Sequence, residues 1–277
     1  MKISYHAWKS YLECPKKFLL KHVQKAPPTV PINEYFTLYG RLVEKFFELF
    51  SNIWRFKTPY IFPEIIRERM QVLYDNILLA STVNWSAPFV KYTQNDIFEQ
   101  AFADVCTIMD SQQQNYFLNS KSEVSINLKL KGEIELRGRI DFVHFDPLCK
   151  DAILIFDGKG TDTIGKNVSN DQVLFYALLY FFQYKIVPRE LGFFYYRFNT
   201  MIPVPISEQI LNEFRARLSL DIKTIVSDKE FKATPCAKSC KYCDYARTCL
   251  EGIESKGSRA KKSRLDLKGE GFVEFGF

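Results

Sequence analysis

The stretch "DAILIFDGKG" (151–160) sets a nearly continuous apolar run against one aspartate and one lysine. Four to eight apolar residues bounded by polar ones read as a strand near the centre of a sheet. The run closes on Asp157, and Lys159 follows two residues later. In a strand, residues i and i+2 point to the same face, so Asp157 and Lys159 project together. A carboxylate at the end of an apolar strand needs a partner, because an unpaired buried charge is costly. Just upstream lies "SEVSINLKLKGEIELRGRIDFVHF" (122–145). Its Val124, Ile126, Leu128 and Leu130 alternate with polar residues, which predicts a half-buried strand. A turn is expected at Lys131-Gly132, and a second strand from about Glu133 to Phe145 carries Asp141 near its middle. Two carboxylates on adjacent strands make the oxygen-rich site that Mg²⁺ or Mn²⁺ prefers. A lysine beside them can orient or help deprotonate a water next to a phosphate. The plainer reading is a surface ion pair between Asp157 and Lys159, with Asp141 as a strand-end cap.

Outward from this centre, "NDQVLFYALLYFFQY" (170–184) reads as a helix with Asn170 or Asp171 at its N-cap. "LGFFYYRF" (191–198) reads as a further strand, followed by a helix over about 207–228. Toward the N-terminus, a helix is expected over 3–25, closed by the breaker "APPTVP" (26–31). A second runs from about Phe36 to Phe50, where Val43, Phe46, Phe47 and Phe50 have the spacing of a buried face. Residues 63–118 are mostly helical in pattern and carry no legible chemistry. The fold class that follows is α/β, a central mixed sheet flanked by helices.

The 277 residues are 47% apolar and include 25 Phe and 15 Tyr, enough for a large aromatic core. No run approaches eighteen apolar residues, so no membrane span is expected. The first residues lack the apolar centre of a secretory signal. A reducing, cytoplasmic setting is therefore expected, with a virus-encoded protein acting in a host cytoplasm as one form of it. There, clustered cysteines more often bind metal than pair as disulfides. The net charge is +6, and residues 1–25 hold Lys2, Lys9, Lys16, Lys17, Lys21 and Lys25 against Glu13 alone. A second basic run, "KGSRAKKSR", spans 256–264. Basic clusters interleaved with Tyr5, Trp8, Tyr11 and Phe18 suit a polyanion whose bases stack, or else form a solvated helix face and a tail.

The acid on one strand and the acid-X-Lys on the next resemble the PD-(D/E)XK nuclease superfamily. The likeness extends to its RecB/AddB-like branch, in which a helix before the sheet carries G-x-x-x-H and the helix after it Q-x-x-x-Y. Here "GRLVEKFFE" (40–48) and "QVLFY" (172–176) fill those places. Glu44 stands where the family has histidine, and no proline precedes Asp141. A carboxylate is also a competent ligand for these cations. The resemblance implies a restriction-endonuclease-like core and a Mg²⁺- or Mn²⁺-dependent DNA exonuclease. Glu44, Asp141, Asp157 and the Gly158 carbonyl would hold the metal, and Lys159 would serve the chemistry. Gln172 and Tyr176 would orient a single strand or duplex end, with Lys16 and Lys17 on its phosphates. The alternatives are a catalytically silent DNA-binding subunit, favoured by Glu44, and a CRISPR adaptation nuclease.

The second resemblance lies in "CAKSCKYCDYARTC" (236–249), which holds four of the seven cysteines. AddB-type helicase-nucleases and the CRISPR-associated spacer-acquisition nucleases place one cysteine before the core and C-x₂-C-x₅-C after it. Cys14, in the context Ser10, Pro15 and Phe18, and Cys240, Cys243 and Cys249 match that pattern. It implies a [4Fe–4S] cluster, which four thiolates saturate, with zinc as the alternative occupant. Cys236 is left over and is itself a conceivable ligand. Cys106 and Cys149 fit neither pattern and read as small packing residues. The expected organisation is an N-terminal helical region (1–118), the nuclease core (119–232), the iron–sulfur segment (233–251) and a basic tail (252–277). The tail's "EGFVEFGF" would suit docking to a replication or recombination protein.

Overall fold

The structure, a computed structural model, describes residues 1–29, 34–53, 62–88, 90–130, 134–146, 153–165, 168–236, 240, 243–246 and 249. The basic run at 256–264, the docking sequence, Cys149 and the expected turn at Lys131-Gly132 lie outside them. The chain divides into two compact units. One comprises Met1–Tyr5 and Asn33–Thr224, the other His6–Ile32 and Ile225–Phe277.

In chain order the described elements begin with β1 (Lys2–Ile3), α1 (Tyr5–Glu13) and α2 (Pro15–Phe18). A π-helical turn over Leu19–Val23 and a 3₁₀ turn over Glu34–Thr37 precede α3 (Leu38–Ile53). Then come α4 (Pro63–Leu79), α5 (Gln94–Met109) and α6 (Gln114–Leu118). Strands β2 (Ser120–Lys129), β3 (Glu135–Phe145) and β4 (Ile153–Lys159) follow. Helix α7 (Asp171–Tyr184), β5 (Glu190–Tyr195), a 3₁₀ turn over Tyr196–Phe198, β6 (Thr200–Val204) and α8 (Glu208–Ser227) complete them.

The single helix expected over 3–25 is broken. Cys14 is extended (φ −166°, ψ 109°) and Pro15 opens the next helix, since a residue before proline is pushed out of the helical region. Two strands were not foreseen. Lys2–Ile3 pairs in parallel with Glu135 and Leu136, and Thr200–Val204 returns antiparallel to β5. Both are short, and neither shows enough alternation to announce itself. The strand expected over 191–198 ends at Tyr195, where the chain turns into 3₁₀ geometry.

The first unit is built on one mixed sheet of order β1-β3-β4-β5-β6, with β2 lying along β3. Strands β2 and β3 form a long antiparallel hairpin, β4 is antiparallel to β3, and β4 and β5 run parallel. Helix α7 makes the crossover between those parallel strands, as parallel neighbours require. Phe142, Phe156 and Phe194 from the sheet join one core with Phe46, Phe47 and Phe50 of α3 and with α4–α6. The amphipathic face read from α3 is the buried one, and the helical 63–118 stretch closes over it. Phe117 is the hub, stacked on Phe47 at 3.9 Å and edge-on to Phe142, Phe156 and Phe194. Where α3 meets the end of β4, a side chain on Gly160 would come within 2.7 Å of the Gly40 Cα. The two glycines thus let the helix that carries Glu44 lie directly on the strand that carries Asp157.

The second unit packs Tyr11, Phe18 and Phe231 together at ring separations of 5.6–6.3 Å. Tyr11 donates to Asp228 at 2.8 Å, Lys21 pairs with Asp244 at 3.1 Å, and Tyr245 donates to the Ala26 carbonyl at 3.0 Å. Its two sequence segments are tied by these bonds. No helix among the described residues is long and apolar enough to cross a membrane.

Candidate active site

Strand register builds the site. The β3–β4 ladder ends at Phe142↔Phe156, and the next residues along, Asp141 and Asp157, are acids. There the Asp141 Oδ2 accepts the Gly158 backbone N–H at 3.1 Å. On the other side of β3, Ser122↔Phe142 and Val124↔Ile140 bracket Glu123 opposite Asp141. Glu123 adopts a left-handed conformation (φ +54°), which costs an L-residue about 1–2 kcal/mol. Like charges directly opposite one another in a sheet are also destabilising. Glu123 is paired with Arg139 at 2.8 Å, so it is the backbone strain that marks this position as kept for something other than stability.

Helix α3 adds Glu44. One carboxylate oxygen each from Glu44, Glu123 and Asp141 lies within 4.8 Å of the others. Lys45, the neighbour that could have drawn Glu44 into a solvated ion pair, bonds instead to Glu48. Burial pushes the Glu44 carboxyl above its usual range, and the charges of Glu123 and Asp157 push it further. Asp141 is held well above the ordinary aspartate range by burial first, then by Asp157 and Glu44. The two raised carboxyls converge with Glu123 into a donor set that a divalent cation neutralises, with hard oxygen ligands throughout.

Asp157 is 3% exposed and is already partnered. It pairs with Lys159, as the i,i+2 spacing required, and accepts from the Gln172 amide at 2.5 Å. Lys159 in turn donates to the Gln172 Oε1 at 3.1 Å and lies 5.2 Å from the Phe193 ring centre. The Gln172 amide also reaches the Tyr176 hydroxyl at 3.5 Å. Gln172 and Tyr176, expected from the resemblance to contact DNA, are both buried. Their hydrogen bonds run to Asp157, to Lys159 and to each other, so here they fix the orientation of the acid and the lysine.

Two residues of this site escaped the sequence. A two-residue turn at Lys131-Gly132 would have set Ser122 opposite Asp141. The observed pairing, with Leu130 N–H bonded to the Ile134 carbonyl at 2.9 Å, moves the register by one residue and brings Glu123 there. Only that register could have disclosed it. The other is Tyr196, 2% exposed, whose hydroxyl has no hydrogen-bond partner among the described residues. A side chain on Gly158 would lie 1.9 Å from that oxygen. Burial holds the phenol well above its normal pKa, and the carboxylates of Glu44, Asp141 and Asp157 add to the effect.

In the second unit, Cys14, Cys240, Cys243 and Cys249 line one cavity of about 30 Å³ together with Lys16, Lys17, Leu20 and Tyr245. Lys17 also pairs with Glu13 at 3.2 Å. None of the described cysteines is in a disulfide. Cys236 is exposed and Cys106 is half-buried in α5, and neither lines that cavity. Four thiols around one small space are a donor set that fits an iron–sulfur cluster or zinc.

An acid on one strand and an acid-X-Lys on its neighbour, under a helix that adds a third carboxylate, form the arrangement of a nuclease class. The chain matches the PD-(D/E)XK nuclease superfamily over residues 2–250 and belongs to it. Nucleases of this superfamily use divalent metals. Among solved structures, the chain is similar to a candidate exonuclease from Eubacterium rectale. The TM-score is 0.56 at 13% identity, covering 90% of this chain and 88% of that one. The structure of SSO0001 aligns over 91% of this chain and 86% of its own at 12% identity, with a TM-score of 0.36. No curated protein sequence matches the chain.

Proposed function

We propose that the protein is a Mg²⁺- or Mn²⁺-dependent deoxyribonuclease, an exonuclease acting on single strands or duplex ends in recombination, repair or replication. The observation that supports this reading most directly is the convergence of Glu44, Glu123 and Asp141 beside the Asp157–Lys159 pair. Those three carboxylates, with Asp157 and the Gly158 carbonyl next to them, would hold the cation. When bound, it would supply Lewis-acid polarisation of the phosphate and a more acidic water. Lys159, oriented by Asp157 and Gln172, donates to a non-bridging phosphate oxygen and stabilises the charge that develops on it. Tyr176 and Gln172 keep that lysine from swinging away. Glu44 lies with the acids, so the carboxylate in the histidine position supports activity over a silent binding subunit.

Single-stranded DNA labelled separately at its 5′ and 3′ ends, with anaerobically purified protein and Mn²⁺, tests the reading. Label should be released from one end first, and Lys159→Ala should slow cleavage by about 100-fold or more while DNA is still bound. Equal turnover in the variant would overturn the role of Lys159. Binding without cleavage by the unaltered protein would favour the silent subunit.

Cys14, Cys240, Cys243 and Cys249 would hold a [4Fe–4S] cluster that ties the two sequence segments of the second unit together. Elemental analysis of the same preparation should find about four irons per chain with matching sulfide. One zinc in their place would assign the cavity to zinc.

A further inference from the structure

Tyr196 is an anomaly in the first unit. Its ring is stacked with Phe47 at 6.0 Å and lies 5.9 Å from Phe194 and 6.5 Å from Phe117. Gly158 clears the space in which its outer edge sits, since a Cβ there would meet the ring carbon Cζ at 2.5 Å and the hydroxyl at 1.9 Å. The ring is therefore locked and cannot swing its hydroxyl elsewhere. Phenylalanine would fill the same volume and leave no polar atom behind. A buried hydroxyl with no partner among the described residues is retained at a cost and calls for a reason.

What surrounds the hydroxyl indicates what that is. It sits against Gly158, whose N–H is bonded to Asp141, and a Glu44 carboxylate oxygen lies within 4.8 Å of one from Asp141. Asp141 already accepts from Gly158, and Asp157 from Lys159 and Gln172. Glu44 is the acid among them on a long side chain, carried by α3 rather than by the sheet. We propose that Tyr196 is a positioning residue for the metal site, its hydroxyl donating to the Glu44 carboxylate once a divalent cation fills the site. The bond would leave one Glu44 oxygen for the cation and fix the carboxylate's orientation, as outer partners of metal ligands commonly do. Glu44 has more rotatable bonds than the imidazole it replaces in the motif, so it gains more from such an anchor. The inference rests on Glu44, Glu123 and Asp141 being cation ligands.

The test is calorimetric titration of Mn²⁺ into the full chain and into Tyr196→Phe, with thermal melts of both in chelator. Mn²⁺ affinity should fall about 10-fold in the variant, within the range for outer partners of metal ligands. Its metal-free melting temperature should be equal or higher, because the orphaned hydroxyl is gone. In a Glu44→Ala background, the same Tyr196→Phe change should cost no further affinity, since coupled residues are not additive. Unchanged affinity in Tyr196→Phe would overturn the proposal. So would a metal-free melting temperature that drops in step with affinity, which would make the hydroxyl a fold contact. Absence of Mn²⁺ binding by the unaltered protein would remove the ligand reading itself, and this inference with it. DNA cleavage is not needed for any arm.

Discussion

Asp141→Asn should abolish DNA cleavage and at the same time raise the melting temperature of the metal-free protein. The amide keeps an oxygen to accept the Gly158 N–H, so the end of the β3–β4 ladder stays intact. It removes the negative charge that Asp157 and Glu44 oppose, at the position where burial also disfavours ionisation. Both raised carboxyls, Asp141 and Glu44, bind a proton more tightly in the folded than in the unfolded chain. Their ionisation therefore costs stability above the ordinary carboxylate pKa, and the cost disappears as pH falls below it, where folded and unfolded chains are both protonated. The variant's gain should accordingly be present at pH 7 and absent near pH 3. Each kcal/mol relieved shifts the melting temperature by about 2–4 °C in a domain of this size. Cleavage should fall by more than about 100-fold, the upper end for losing an outer partner rather than a ligand. Melting curves at the two pH values, in chelator, with cleavage measured in Mn²⁺, check both halves. A metal-free protein no more stable than the unaltered one at pH 7 would mean that the acids do not repel.

Gly158→Ala should do the opposite and weaken the fold as well as the activity. Its Cβ would lie 1.9 Å from the Tyr196 hydroxyl, 2.5 Å from Cζ and 3.0 Å from Cε2. The ring is enclosed by aromatic neighbours and cannot retreat, so the strand must move instead. Overpacking of this kind costs about 1–3 kcal/mol. The displaced strand segment joins Asp157 to Lys159, and the pair would lose its alignment with Asp141. Urea denaturation should show a lower midpoint with an unchanged slope. Combining Gly158→Ala with Tyr196→Leu, which removes the clashing atoms, should recover most of the loss. No recovery would place the strain elsewhere.

The sequence disclosed the chemistry in proportion to how local its signals were. Asp157 and Lys159 could be paired from i,i+2 spacing alone, and the helix carrying Gln172 and Tyr176 from one apolar run. Glu44 was reached only through its place in a family pattern. Glu123 depended on a hairpin register that one residue in the turn decides, and no periodicity in β2 singles it out. Tyr196 looked like one more strand residue in "LGFFYYRF", because the change to 3₁₀ geometry after Tyr195 leaves no compositional mark. The burial of Gln172 and Tyr176 was likewise invisible, since a four-residue spacing says that two side chains share a face and not which way it looks. Strand β1 is two residues long and pairs with residues 135–136, too short and too distant to be read in advance.

The second unit, made of His6–Ile32 and Ile225–Phe277, has a consequence for how the protein comes into being. On the ribosome its first segment emerges before nearly all of the sheet unit, and the segment that completes it only afterwards. At typical elongation rates of about 5–20 residues per second, the wait is on the order of 10–40 s. The intervening sheet unit, by contrast, has nearly all its chain in hand before then. Cys14 must spend that interval as a lone thiol, with Cys240, Cys243 and Cys249 still to be made. Within this chain the cysteine cavity therefore cannot close until the sheet unit has been made.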